Sequence, residues 1–328
     1  MNQGRKILVR TPNWIGDHVM AHPFYRLLKK CYPKGKIHFL SADSLASFED
    51  GDVCEEKKLI TKAAKRLGPE FFRLAEELKA EKYDLAISLT PSFSSSFLLW
   101  KAQIPFRVGF AQSGSQLFLT DSLPWKGIKS GKHKTEVYLD LLRFLTGQSF
   151  HLDLPHYGNA PISSKLILIA PGASIELRVW PYFRELTREL SVLFPDYEIR
   201  WVGGKGEAHW HQEIEKWPYP NVTDMIEKTT LSQLVDGCRQ SCLVIANDSG
   251  VAHLAGTLAQ VPTLVLFGPG DPNYIRPLGP RIHCQTPSSV PCHPCEKPYC
   301  HSKYGYQACL REISWETVVN QVKSWIPS

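Results

Sequence analysis

The chain has 328 residues, 43% hydrophobic and 21% charged, a composition ordinary for a globular protein and a length comfortable for two domains. No stretch offers the roughly 18 apolar residues of a membrane span, and "MNQGRKILVRTPNW" is not a signal peptide, so a cytoplasmic chain is expected, with its nine cysteines as thiols or metal ligands rather than disulfides. The net charge of +6 is too small for a dedicated nucleic-acid binder.

In chain order, "KILVR" (6–10) reads as a short buried strand, and 18–31 follows with apolar residues at helical spacing. Between them lies "TPNWIGD", which sets Gly16 and a carboxylate, Asp17, beyond the first strand. "KIHFL" (36–40) is the next strand. Lys29, Lys30, Lys34, Lys36, Lys57, Lys58, Lys62, Lys65 and Arg66 form either a solvated face or a surface that meets an anionic lipid or substrate. A helix over 69–83, a strand "DLAISL" (84–89), a helix "SSSFLLWKA", a strand "FRVGF" (106–110) and a helix over 134–146 complete this half. Residues 147–164 carry Gly, Pro, Asn and Ser without a period and mark a linker. The alternation restarts with strand "LILIA" (166–170), a helix over 181–193, strands "YEIRWV" (197–202) and "CLVIA" (242–246), a helix over 250–259 and strand "TLVLF" (263–267). Two such runs predict two doubly wound parallel sheets, 1–155 and 156–328.

Ligands of open α/β sheets bind beyond the carboxyl ends of the strands. In the second half four strands end in small or Gly-rich loops: "PGAS", "GGKGE", "NDSG" and "GPGDP". Several lead into a helix, whose free N–H groups and dipole favour phosphate, so a nucleotide or sugar-nucleotide site is expected there. Each residue also has a plainer role: Asp248 or Ser249 caps the following helix, Glu207 is a solvated loop acid, and His253 is a packed histidine. Asp17 is either a general base or the cap of its helix. There is no Walker loop, no GxGxxG after the first strand and no GxSxG elbow.

Taken together, "ILVRTPNWIGDHVMAHPFYRLLKKCYP", "PGASIELRVWPYFRELTREL", "NDSGVAHLAGTLAQVPTLVLFGPGDP" and "CHPCEKPYCHSKYGYQACL" resemble the motifs of the ADP-heptose:lipopolysaccharide heptosyltransferases. The wording of the first is closest to the heptosyltransferase II branch. Most members carry Lys before "WP", where this chain has Arg178, which keeps the charge but not the geometry.

The resemblance implies a GT-B fold, two Rossmann-like domains facing a cleft, with the last helix, "SWETVVNQVKSWI", crossing back to the first domain. It implies inverting transfer of L-glycero-D-manno-heptose from ADP-heptose to the inner core of lipopolysaccharide, at the inner face of the cytoplasmic membrane, with no cofactor and no metal in catalysis. Asp17 is then the base, with Gly16 giving the turn its freedom. Arg178 and the N–H groups after Asn247 neutralise the leaving phosphate, Glu207 contacts the nucleoside, and Asn247, Asp248, Ser249, Gly250 and His253 belong to the donor site. Cys292, Cys295, Cys300 and Cys309 are either free thiols in a buried loop or a structural metal site; only the first two form a close pair. A transferase for another sugar nucleotide, or a catalytically silent sugar-nucleotide or lipid A-core binding module, are the competing readings.

Overall fold

The computed structural model describes residues 4–152 and 164–326. Contacts divide the chain into Met1–Leu154 and Pro155–Ser328; the expected boundary between 155 and 156 lies outside the described residues.

The first unit holds one parallel sheet of six strands: β1 (Lys6–Arg10), β2 (Lys36–Ala42), β3 (Glu56–Ile60), β4 (Leu85–Ser88), β5 (Phe106–Ala111) and β6 (Asp121–Pro124), ordered β3-β2-β1-β4-β5-β6. The central strands are buried on both faces and therefore read as continuous apolar runs. One side is filled by Leu8, Leu40, Phe71, Leu74, Leu78, Ala86, Leu98 and Leu99. Because the order reverses between β1 and β4, the chain leaves these two adjacent strands in opposite directions and opens a crevice at their carboxyl ends.

The second unit repeats the plan with β7 (Leu166–Ala170), β8 (Glu198–Trp201), β9 (Val222–Asp224), β10 (Leu243–Asn247), β11 (Thr263–Leu266) and β12 (Ile282–Gln285), ordered β12-β11-β10-β7-β8-β9 and all parallel. Its reversal lies between β7 and β10. The four Gly-rich loops thus follow β7, β8, β10 and β11, neighbours along one edge.

Two expectations are corrected. The helix expected over 18–31 is two helices, Ile15–Met20 and His22–Cys31. Pro23 lacks an N–H and restarts the second from its first turn. Gly16 is the second residue of the first helix and has no positive φ, so the turn does not require its freedom. The final helix, Trp315–Trp325, buries Val318, Val319 and Val322 in the core of its own unit, with Leu186, Leu190 and Ile199.

Candidate active site

In the first unit, the edge at the β1/β4 reversal is organised by Arg10. This fully buried last residue of β1 donates from Nη1 to Thr11 O at 2.5 Å and Leu40 O at 3.2 Å, and from Nη2 to Asn13 Oδ1 at 2.5 Å. Burial pulls its guanidinium down to about 10, still charged at neutral pH. One side chain therefore pins the loop 11–14 from which the helix Ile15–Met20 starts.

Asp17 lies in the first turn of that helix. No side chain caps the helix at Trp14, and Asp17 instead pairs with Lys134, Oδ2 to Nζ at 2.8 Å, both side chains largely but not wholly covered. Lys134 opens the helix Lys134–Thr146, more than a hundred residues away in sequence. The carboxylate is thus oriented across the edge of the sheet by a long-range cation.

Behind Asp17 the same helix is anchored by a buried polar cluster. His18 Nε2 meets Asp50 Oδ1 at 2.6 Å and its Nδ1 faces Tyr25 Oη at 3.3 Å; Lys57 Nζ holds Asp50 Oδ2 at 2.6 Å. Burial raises the Asp50 carboxyl, but the bonds from His18 and Lys57 outweigh it and leave it below its ordinary value. Burial, with His18 adding to it, pushes His22 down to about 3, so this imidazole stays neutral. The ligand atoms of His18, His22 and Asp50 lie within 4.8 Å of one another. The ammonium already on Asp50 makes this an ion-paired brace rather than a cation site. Lys57 is therefore withdrawn from the surface, and Lys58 bridges Glu56 and Glu81, each at 2.8 Å.

In the second unit, the segment before "WP" is fixed by Trp180. Its ring is buried, its Nε1 donates to Ile313 O at 2.8 Å, and its backbone N–H donates to Asn247 Oδ1 at 2.9 Å. Asn247 Nδ2 donates to Pro171 O at 2.6 Å. The Asn247 side chain is thereby a clip joining the loops after β7 and β10 to the Arg178 segment, with its own polar atoms engaged. Arg178 Nη1 meets the buried carboxylate of Asp248 at 2.7 Å, and Nη2 reaches Glu296 at 3.5 Å. A Cβ on Gly270 would stand 2.5 Å from Asp248 Oδ2, so this glycine of "GPGDP" leaves the room Asp248 occupies. Ser249, at the start of the helix Gly250–His253, makes no side-chain capping bond, and its hydroxyl is buried without a hydrogen-bond partner. His253 is buried in that helix, which continues as a π-helix over Leu254–Ala259. Glu207 accepts from Gly204 N at 2.7 Å and lies so close to Gly172 that a Cβ there would overlap its carboxylate. It is therefore both a local clasp and an acid held against the "PGAS" loop.

The cysteine-bearing run folds onto the same edge. Cys295 N and Glu296 N donate to Pro269 O at 3.0 and 2.8 Å, His293 Nδ1 meets Gly268 O at 2.6 Å, and Glu296 Oε1 accepts from Asp271 N at 2.6 Å. The run thus straps the "GPGDP" loop and delivers Glu296 to Arg178. Cys292, Cys295, Cys300 and Cys309 line one cavity of about 140 Å³. Their sulfurs are not among the described groups of three ligand atoms within 4.8 Å.

Residues 71–304 match the model of Glycosyltransferase family 9 (heptosyltransferase). The chain belongs to this heptosyltransferase family. Among its relatives, lipooligosaccharide heptosyltransferase 2 of Haemophilus ducreyi is 26% identical over 309 residues, covering 83% of this chain and 86% of that one. Lipooligosaccharide heptosyltransferase 2 of Campylobacter jejuni is 25% identical over 334 residues, covering 97% and 98%. The solved structure of E. coli ADP-heptose lps heptosyltransferase II superposes with a TM-score of 0.77 at 21% identity, over 98% of each chain. The fold of this family 9 glycosyltransferase is therefore GT-B.

Four residues of this candidate site go unnoticed in the sequence: Arg10, Asp50, Lys134 and Glu296. Arg10 carried the only local signal, a charge ending an otherwise apolar strand. The other three reach their partners through tertiary contacts that no local pattern encodes.

Proposed function

We propose that this chain transfers L-glycero-D-manno-heptose from ADP-heptose, with inversion, to the first heptose of a lipopolysaccharide inner core, working at the inner face of the membrane that holds the acceptor. The observation that carries the reading is the position of Asp17: a carboxylate at the strand-order reversal of the first sheet, aimed by Lys134 and not used as a helix cap.

A sugar hydroxyl is a weak nucleophile at neutral pH and needs its proton removed as it attacks. With Oδ2 on Lys134, Oδ1 of Asp17 is the oxygen that takes that proton. The acceptor oxygen bonds to the anomeric carbon, the bond from that carbon to the phosphate oxygen breaks, and its electron pair departs on ADP. The second unit supplies the donor side. The Asp248 N–H is already engaged with Leu266 O, so the backbone donors toward phosphate begin at Ser249 and Gly250, joined by the Ser249 hydroxyl and Arg178. Asp248 and Glu296 hold the Arg178 guanidinium in place from one side. In this reading the leaving charge is met by the chain's own groups, without a metal, and Glu207 faces the nucleoside.

Donor competition tests it. Offered ADP-heptose beside UDP- and GDP-linked sugars with a heptose-bearing core, the protein should release ADP and neither other nucleotide. Release of UDP or GDP at a comparable rate would instead make it a transferase for another donor.

A further inference from the structure

The helix Phe93–Lys101 is apolar on two faces. Leu98 and Leu99 are buried under the first sheet, as a surface helix requires. Phe93, Phe97 and Trp100, spaced i, i+4, i+7, form a second stripe, of which Phe97 packs partly against the core while Phe93 and Trp100 stay exposed. That stripe joins neighbours. Phe93 and Phe118 have ring centroids 5.1 Å apart, Phe97 and Phe118 5.0 Å, Phe97 and Trp100 5.6 Å, and Phe71, beneath, links Phe97 at 5.5 Å to Phe72 at 5.4 Å. The outer members remain in water: Phe72 is 46% exposed, Phe93 39%, Trp100 44% and Leu117 75%. A contiguous aromatic surface of this kind marks a docking site.

Two features select its occupant. The charge lying over these rings is a cation: Lys101 Nζ is 5.9 Å from the Phe72 ring and 5.4 Å from that of Trp100, and Arg73 is exposed beside Phe72. Aromatic rings interleaved with Lys and Arg suit the headgroup layer of an anionic bilayer, where rings lie at the interface and long cationic stems reach phosphates. The stripe also begins on the sheet edge that carries the candidate active site. The helix follows β4, which pairs with β1, so Phe93 starts the stripe at the sheet edge that carries Asp17.

We propose that Phe72, Phe93, Trp100 and Leu117, with Lys101, are the surface by which this enzyme docks on an anionic lipid bilayer. The assignment rests on the reading of the acceptor as a membrane glycolipid, and no described helix is long and apolar enough to cross a membrane. Of the basic residues expected to meet an anionic surface, Lys57 and Lys58 are engaged in ion pairs.

The test is sedimentation of the full chain with vesicles of phosphatidylethanolamine and phosphatidylglycerol, and separately of phosphatidylcholine, for the parent, for Phe72→Ser/Trp100→Ser/Leu117→Ser, and for Leu117→Asp. Leu117→Asp changes a side chain so exposed that folding is not at risk. The parent should bind the anionic vesicles and bind phosphatidylcholine more weakly. The triple variant should bind at least about tenfold more weakly, and Leu117→Asp in the same direction. Turnover on a deacylated, soluble acceptor should be unchanged in both. A parent that fails to bind anionic vesicles, or variants that bind as the parent does, overturns the proposal. So does a parent dimer that the variants disperse while vesicle binding persists. Vesicle binding that behaves as expected, with no turnover on any heptose acceptor, would defeat the functional reading and leave the docking surface standing.

Discussion

Arg178 shows how two roles share one side chain. Its guanidinium is assigned to the donor phosphate, yet it is also a counter-charge of Asp248, a nearly buried carboxylate. Removing it would strip the proposed charge-assisted contact to phosphate and take the guanidinium away from the Asp248 carboxylate, and breaking a buried ion pair of this kind costs on the order of 3 kcal/mol. Arg178→Ala should therefore lower both donor affinity and thermal stability. Arg178→Ala/Asp248→Asn should recover part of the stability and none of the donor affinity, because the second change removes the charge that Arg178 balanced. Calorimetric melting and ADP titration separate the two. Equal loss of stability in the single and double variants would mean that the ion pair contributes nothing to the fold. The same logic explains why Arg178 stands where relatives were expected to carry Lys. A planar fork can serve Asp248 and Glu296 at once, at 2.7 and 3.5 Å, which a single ammonium does less well.

At the scale of elements, the helix that carries Asp17 is short, six residues, and cannot hold its direction alone. Arg10 fixes its approach and the His18–Asp50–Lys57 brace fixes its back. The neutral His22 beside that brace makes stability depend on pH. Its folded value, about 3, is below the ordinary 6.5. The unfolded chain therefore binds the extra proton between those values. The contribution is complete above pH 6.5 and is lost as pH falls toward 3, at up to about 1.4 kcal/mol per pH unit. Asp50, with its lowered carboxyl, adds a loss of the same sign in stronger acid. Urea unfolding across this range should show a steeper acid decline for the parent than for His22→Phe; identical slopes would remove His22 as the cause. These elements were unequally legible. β1, β7, β10 and β11 announce themselves as apolar runs because both faces are covered. The outer strands β3, β6, β9 and β12 went unread because edge strands are half-exposed and mixed in composition. Asp17 and the four Gly-rich loops could be found because each directly follows a readable strand. The partners Lys134 and Glu296 could not, since only the folded chain brings them near.

At the scale of the molecule, both units have the same strand order, and each places its polar residues at the reversal of that order. The proposed division of labour rests on what stands there. The first edge presents a carboxylate on a braced helix. The second presents N–H groups, a buried hydroxyl and a guanidinium, the complement of a phosphate. The central claim is that Asp17 removes the acceptor proton during heptose transfer. It is tested most directly by mass spectrometry of products from ADP-heptose and a core ending in its first heptose, with the parent and with Asp17→Asn, which keeps the size and loses the base. The parent should add one heptose unit to the acceptor, while Asp17→Asn should turn over about 10²-fold more slowly or worse with ADP binding little changed. Turnover by Asp17→Asn close to that of the parent would contradict the account.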